Sequence, residues 1–265
     1  MKNKMLMQIT NAVRMITMLS VIFLTGCKSS SSTMTSSPPI ALTIPGIVMY
    51  YPFNGNAHNV GENHIDGEIH GASPTTDRFG IANHAYYFDG VDDSIYFDAS
   101  KMPLGSSART ISAWVKADSF PPAPENFQAL GSRATVVGWG KDEDRQLSEM
   151  QIFENKLLFH VFNADTASMN SIELGKWHHL VIIYTGQKVI LYNNGEKEEY
   201  EASELFTQSG KGRIGAFSDP TVKSPLFPNG YDLSYFHGVI DDISIFNRAL
   251  TYDQVMLLYH EGDWK

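Results

Sequence analysis

The sequence has little cysteine and no excess of basic residues. Cys27 is the only cysteine among 265 residues, so no disulfide can form within one chain. Lys and Arg together number 20 against 29 Asp and Glu, and the formal net charge is −9. Nucleic acids and anionic phospholipids are bound through basic patches, so this charge balance argues against both classes of partner.

The sequence also lacks the short motifs of several enzyme classes and any long apolar run. No Walker loop, GxGxxG, HExxH, CxxC or GxSxG pattern is present. The most apolar stretch, residues 15–24, is only ten residues long, whereas a membrane-spanning helix needs about 20. These absences argue against a nucleotide-binding enzyme, a zinc protease and a serine hydrolase.

The N-terminus predicts export and lipid attachment. Three basic residues (Lys2, Lys4 and Arg14) precede the apolar stretch, which continues into the sequence LTGC at residues 24–27. This pattern resembles the bacterial lipobox, which implies a signal peptide over residues 1–26 and an acylated Cys27 as the new N-terminus. The alternative is an ordinary signal peptide followed by an incidental cysteine. Because Lys28 rather than Asp follows Cys27, the resemblance implies attachment to the outer membrane. It does not say whether the protein lies on the periplasmic face or on the cell surface.

Two further regions follow. Residues 27–43 are rich in Ser, Thr and Pro and cannot bury a core, which predicts a flexible tether. Residues 44–265 contain short β-rich runs separated by turn residues, at 109–116, 146–153, 156–162, 178–184 and 188–192. Tight hairpins are predicted at residues 154–155 and 193–195. Thr251 and Gln254 form a capping box that predicts one short C-terminal helix.

Six segments stand in an order that is specific to one fold family. They are YPFNGNA (51–57), DRFG (77–80), FDGVDD (88–93), ISAWV (111–115), GKWHHLV (175–181) and FHGVIDDISIFNRAL (236–250). This set resembles the LamG-like members of the concanavalin A-like lectin/glucanase superfamily, over residues 47–261. The resemblance implies an all-β fold, a two-sheet antiparallel jelly-roll sandwich. It does not by itself imply a function, since one fold hosts many functions.

The last of these segments predicts a compensated carboxylate pair. Plain alternation places Asp241 on one apolar face of a strand and Asp242 on the other, and a carboxylate among apolar neighbours needs a cation or N–H donors. The resemblance implies calcium, bound by Asp241, Asp242, Asn59 and a backbone carbonyl near His64. Asn59 stands where the family usually has an acid, and calcium prefers charged oxygens. The alternative is that Arg248, or backbone N–H donors, neutralise Asp241 and no metal binds.

Two long connections, residues 119–134 and 216–235, predict the ligand-binding region, because long loops in compact domains often carry function. Three aromatic residues beside them or beside glycines are predicted to contact ligand: Trp139, Tyr231 and Tyr235. An exposed aromatic ring covers the apolar face of a sugar, which predicts carbohydrate as the ligand. The alternative is a protein-binding adhesion or assembly domain.

A glycoside hydrolase is the least favoured hypothesis. The run Glu149-x-Gln151-x-x-Glu154 resembles the Glu-x-Asp-x-x-Glu strand of laminarinase-type glucanases, but Gln151 replaces the middle acid. A retaining glycosidase needs two carboxylates about 5–5.5 Å apart. Alternation sends Glu149 and Glu154 to opposite faces, so a solvated strand and turn is the preferred interpretation. The sequence therefore predicts a non-catalytic surface binding module.

Overall fold

Alternating apolar residues between turn residues produce a fold made almost entirely of strands. The computed structural model describes residues 38–61, 63–121, 132–217 and 234–261. Cys27, Tyr231 and most of the two long connections lie outside these described residues. The strands in the described part of the chain are β1 (Ile47–Tyr51), β2 (Glu68–His70), β3 (Ser73–Thr75), β4 (Ala85–Asp89), β5 (Ser94–Asp98), β6 (Arg109–Ser119), β7 (Arg133–Gly140), β8 (Leu147–Phe153), β9 (Lys156–His160), β10 (Thr166–Ser171), β11 (His178–Tyr184), β12 (Lys188–Asn193), β13 (Glu196–Glu201), β14 (Lys211–Ile214) and β15 (His237–Phe246).

The strands pair into two antiparallel sheets. The eight-stranded sheet has the order β13-β12-β11-β6-β15-β4-β3, and β1 pairs with the C-terminal half of β15. The seven-stranded sheet has the order β10-β9-β8-β7-β14-β5-β2. Two short helices are also present, α1 (Ile40–Thr43) and α2 (Tyr252–Tyr259). This architecture confirms the predicted two-sheet jelly-roll sandwich with a short C-terminal helix.

The apolar residues form two cores, one on each side of the eight-stranded sheet. The larger core lies between the two sheets, and the smaller core joins the outer face of the eight-stranded sheet to α1 and α2. Strand β11 contributes to both, with Leu180 and Ile182 in the larger core and Val181 and Ile183 in the smaller one. A strand covered on both faces reads as a continuous apolar run, which explains its sequence. Each such side chain stabilises the fold by roughly 1.5–3 kcal/mol through burial.

Local signals in the sequence located most elements correctly. The five predicted strands correspond to β6, β8, β9, β11 and β12, with ends that differ by at most three residues. The predicted hairpin at Glu154 and Asn155 has φ values of 44° and 66°, as a tight primed turn requires. The capping box at Thr251 and Gln254 is present, and α2 begins directly after it. No helix in the described part of the chain is long and apolar enough to cross a membrane.

The structure moves the start of the folded domain from residue 44 to Pro38. Residues 40–43, predicted as tether, form α1, and Ala41 is only 3% exposed. Ala41 and Ile44 pack with Tyr50 and Leu258 in the smaller core. The composition did not indicate this boundary, because α1 adds only four residues to the end of the Ser/Thr/Pro segment.

Plain alternation along β15 was a wrong prediction. A β-bulge shifts the register between Asp241 and Ser244, and Asp242 adopts a left-handed φ of 46°. Ile240 and Ile243 therefore both face the larger core, with the two carboxylates between them. A bulge adds one residue to a strand and redirects the side chains beside it. Asp241 and Asp242 consequently reach the same side of the sheet instead of opposite sides.

Candidate functional site

The carboxylate pair on β15 is compensated by a guanidinium. Arg78 Nη1 donates to Asp241 Oδ2 at 2.6 Å, and Arg78 Nη2 donates to Asp242 Oδ2 at 2.6 Å. Arg78 Nε donates to Glu261 Oε1 at 2.6 Å, just beyond α2. The Arg78 side chain is only 8% exposed, and its guanidinium carbon lies 4.8 Å from the centre of the Trp114 ring. We call Arg78, Asp241, Asp242 and Glu261 the arginine clamp.

One guanidinium serves three carboxylates in the arginine clamp, and the titration behaviour reflects this. Burial, followed by the neighbouring Asp242 carboxylate, raises the pKa of Asp241 above its usual value even though Arg78 opposes the shift. Burial also raises the pKa of Glu261, again against Arg78. Burial would lower the pKa of Arg78, but the three surrounding carboxylates outweigh it and raise that pKa. Arg78 and Asp241 are shielded from water, with side chains 8% and 3% exposed, whereas the Asp242 and Glu261 side chains are 23% and 33% exposed.

The residues predicted to bind calcium do not fit a calcium ion as they are placed. Both β15 carboxylates bind Arg78, and Asp242 Oδ1 also accepts from the Tyr50 hydroxyl at 2.5 Å. Asn59 Oδ1 accepts from the backbone amides of Tyr50 and Gly61, each at 2.9 Å. His64 is exposed in the loop before β2. Calcium needs six to eight oxygen ligands, and the side-chain oxygens of Asp241, Asp242 and Asn59 described above already have partners. Calcium binding by this chain stays a prediction.

The alternative role for Arg248 is wrong. Arg248 Nε donates to the Pro45 carbonyl at 2.7 Å, and Arg248 Nη1 donates to the Ala249 carbonyl at 3.1 Å. Its guanidinium therefore secures the chain beside β1, and the cation that meets Asp241 is Arg78. Arg78 belongs to the DRFG segment at residues 77–80, whose local sequence does not indicate a carboxylate partner. A pair of residues 163 positions apart leaves no local signal, so only the bulge and the fold bring the two groups together.

Trp139 was predicted to contact ligand, and the structure contradicts this. Trp139 lies in β7 with no exposed surface, inside the larger core, and its Nε1 donates to the Pro103 carbonyl at 3.0 Å. The flanking glycines leave room for groups on the adjacent strand and turn of the same chain. A Cβ on Gly138 would lie 2.0 Å from Glu149 Cγ, and one on Gly140 would lie 2.4 Å from the Gln146 carbonyl oxygen. Close approach was thus the correct inference from the glycines, but the approaching group is not a ligand.

Of the other two predicted ligand contacts, the structure describes Tyr235 but not Tyr231. Tyr235 is half-buried in the segment that leads into β15, and Tyr231 lies outside the described residues. The described ends of the second long connection sit beside β7, since Thr135 N donates to the Ser234 carbonyl at 2.7 Å and Gly215 N donates to the Val136 carbonyl at 3.0 Å. The connection therefore leaves and returns next to the seven-stranded sheet.

The outer face of the seven-stranded sheet carries a row of residues that are polar or aromatic except for Gly138. Directly paired positions place them side by side across six strands, in the order Glu68, Tyr96, Arg213, Gly138, Glu149 and His160. We call this set the cross-sheet row. Arg213 donates to the Tyr96 hydroxyl through Nη2 and to the Phe217 carbonyl at 3.1 Å through Nη1. His160 Nδ1 lies 2.7 Å from Asp165 Oδ1. Both described helices pack on the other sheet. Within the row, Glu68 is exposed and Tyr96 is half-buried, whereas Arg213, Glu149 and His160 are buried.

Glu149 accepts a hydrogen bond from the amide that stands where the glucanase strand has its middle acid. Gln151 Nε2 donates to Glu149 Oε2 at 2.7 Å and to Thr135 Oγ1 at 3.1 Å. An aspartate at position 151 could not donate these bonds while ionised. Glu149 is fully buried, so the expectation of a solvated strand was wrong, while Glu154 is exposed in the β8–β9 turn as expected. The three residues therefore do not reproduce a glucanase strand.

Comparisons with known proteins agree with the two-sheet jelly-roll fold. The family model Laminin_G_3, described as Concanavalin A-like lectin/glucanases superfamily, matches residues 89–256. No curated protein matches the chain.

Several solved structures share the fold at low sequence identity. Domain 4 of AbnA, a GH43 extracellular arabinanase from Geobacillus stearothermophilus in complex with arabinotriose, has a TM-score of 0.59 at 18% identity, covering 80% of this chain and 98% of that domain. The binding domain of Paraclostridial Mosquitocidal Protein 1 has a TM-score of 0.60 at 18% identity, covering 81% of this chain and 52% of that one. The Botulinum neurotoxin serotype D ligand binding domain in complex with N-Acetylneuraminic acid has a TM-score of 0.58 at 13% identity, covering 83% and 52%.

Proposed function

The chain belongs to the Laminin_G_3 family of the concanavalin A-like lectin/glucanase superfamily, and from that premise we propose that it is a non-catalytic carbohydrate-binding module. The observation that carries the proposal is the cross-sheet row. Its guanidinium, carboxylate, imidazole and aromatic groups are fixed by sheet register on the outer face of the seven-stranded sheet, where Glu68 is exposed and Tyr96 is half-buried. Sites that bind sugars combine a few fixed polar groups with aromatic surface.

Two further observations support binding without hydrolysis. Gln151 occupies the position of the middle acid and donates its amide to Glu149, while Glu154 points into solvent from a turn. Retaining hydrolysis needs two carboxylates about 5–5.5 Å apart. The structures of a similar fold include one in complex with arabinotriose and one in complex with N-Acetylneuraminic acid, which supports a saccharide as ligand.

We expect the full chain, solubilised in detergent, to bind at least one polysaccharide on a glycan array and to leave that polysaccharide intact. The measurement is retention on the array together with an assay for new reducing ends. Arrays run with calcium and with a chelator show whether the metal contributes. Release of reducing ends that is lost in Glu149→Gln would replace this proposal with the glycosidase hypothesis. Retention of a protein ligand and of no glycan would favour the adhesion alternative.

We also propose that Cys27 anchors the module to the outer membrane, because the LTGC sequence at residues 24–27 resembles a lipobox. We expect labelled palmitate to be incorporated into the wild-type protein and not into Cys27→Ser. The variant is expected to leave the membrane fraction or to accumulate with its signal peptide uncleaved. Ser29→Ala is a matched control that keeps the cysteine. Equal labelling of wild type and Cys27→Ser would contradict lipidation at this residue.

A further inference from the structure

Three loops meet at one end of the seven-stranded sheet and present two exposed phenylalanines. The loops are residues 141–146 between β7 and β8, residues 161–165 between β9 and β10, and residues 202–210 between β13 and β14. Phe162 is 36% exposed and Phe206 is 40% exposed. Arg145 lies between them along the hydrogen-bonded backbone. We call Asp144, Arg145, Phe162, Asn163 and Phe206 the rim cluster.

Backbone hydrogen bonds fix the three loops to one another. Arg145 N donates to the Phe162 carbonyl at 3.0 Å, and Phe206 N donates to the Arg145 carbonyl at 2.7 Å. Gln208 N donates to the Gln146 carbonyl at 3.1 Å one position further along. The two phenyl rings are therefore attached to loops that hydrogen bonds hold in place. Binding a ligand to these rings would cost little additional conformational entropy in the loops.

Two residues of the rim cluster adopt a backbone conformation that side chains disfavour. Arg145 has a φ of 54° and Asn163 a φ of 65°. Asn tolerates the left-handed region, but Arg does so rarely, and such positions persist only where the surrounding structure imposes them. The inter-loop hydrogen bonds impose this conformation on Arg145. Strained residues of this kind cluster at binding sites, so the φ of Arg145 favours a binding site at this end of the sheet.

The polar groups of the rim cluster are held beside the rings. The Arg145 guanidinium carbon lies 4.7 Å from the centre of the Phe206 ring, so the cation is stacked on the aromatic face. Asn163 Nδ2 donates to Asp144 Oδ1 at 3.0 Å, and Arg145 Nε approaches Asp144 Oδ2 at 3.3 Å. The bond from Asn163, followed by Arg145, holds the pKa of Asp144 below its usual value. The Asp144 and Arg145 side chains remain 54% and 34% exposed.

We propose that the rim cluster is a binding subsite for a neutral polysaccharide. The two exposed rings offer apolar surface to the C–H faces of sugar rings, and the carboxylate, guanidinium and amide beside them offer acceptors and donors to hydroxyl groups. The carboxylate and the guanidinium balance each other's charge, and the chain as a whole carries −9, which disfavours polyanionic ligands. This inference rests on the proposed function and adds a location and a ligand class to it.

The test compares the full chain with variants of the rim cluster on neutral and on acidic polysaccharides, using affinity electrophoresis in native gels. Phe162→Ala and Phe206→Ala are each expected to weaken retention on a neutral polysaccharide about tenfold, and the double variant more strongly. Tyr252→Ala is the matched control, because Tyr252 is an aromatic residue 46% exposed on α2, which packs on the other sheet. The melting temperature of every variant is measured alongside, and it should stay close to that of the wild type.

The outcomes separate the subsite from the proposed function. Wild-type retention that both phenylalanine variants preserve overturns the rim cluster as a subsite and leaves carbohydrate binding in place. Retention confined to acidic polysaccharides overturns the ligand class. A wild-type chain that no polysaccharide retains overturns both proposals. Equal loss in Tyr252→Ala and in the phenylalanine variants shows a general effect of surface change and also overturns the subsite.

Discussion

Replacing Arg78 by alanine is expected to lower the free energy of unfolding by about 3–5 kcal/mol, because the substitution leaves buried carboxylates without their cation. The Arg78 side chain is 8% exposed and that of Asp241 is 3% exposed, so water screens these charges weakly. The loss also frees Glu261 and the end of α2 from the sheet. Urea denaturation of the wild type and the variant measures the difference. A loss below about 1 kcal/mol, typical of exposed ion pairs, would contradict the buried role.

Arg248→Ala and calcium provide the controls for this prediction. Arg248 binds two backbone carbonyls, so its removal is expected to cost only about 1 kcal/mol per hydrogen bond lost. If Arg78 is the cation that β15 requires, a chelator should leave the wild-type melting temperature unchanged. A wild-type melting temperature that rises with added calcium and falls with a chelator would instead support the calcium prediction.

Truncation of Trp139 to alanine is expected to destabilise the fold by about 3–5 kcal/mol, the usual cost of removing a large aromatic from a core. Trp139 has no exposed surface, so truncation leaves a cavity. It also removes one of the two hydrogen bonds that the Pro103 carbonyl accepts, the other coming from Arg109 Nη1 at 3.2 Å. Thermal and urea denaturation of Trp139→Ala check this expectation. Glycan retention should decrease only in proportion to the fraction of molecules that unfold.

Trp139→Phe is the matched control. It keeps most of the buried ring volume and removes only the hydrogen bond to Pro103, so a loss of about 1–2 kcal/mol is expected. A Trp139→Ala protein that keeps the wild-type stability but loses glycan retention would contradict the buried placement and restore Trp139 as a ligand contact.

Features that depend on near neighbours in the chain were predictable. The capping box needs only Thr251 and the residue three positions later, and the turn at Glu154 and Asn155 needs only two residues that tolerate positive φ. Strand β11 was recognisable because a strand buried on both faces has an unbroken apolar run. The ordered family segments then assigned the arrangement of these strands in two sheets.

The site was less predictable because its determinants are not local. The glycines around Trp139 correctly indicated a close approach, but the sequence does not say that the approaching groups are Glu149 and the Gln146 carbonyl. The rim cluster was missed because Arg145, Phe162 and Phe206 lie on three separate loops. Each residue by itself reads as an ordinary loop residue, and the backbone bonds between the loops exist only in the folded chain.

The sequence by itself determined the fold class and the requirement for a cation or N–H donors at β15, since two carboxylates in an apolar strand must be compensated wherever they lie. Only the tertiary structure decided which cation serves and on which side. The bulge at Asp242 moves both carboxylates to one side of the sheet, and the antiparallel arrangement brings Arg78 there from 163 residues away. Backbone register and long-range packing set these positions together, and no short stretch of sequence encodes them.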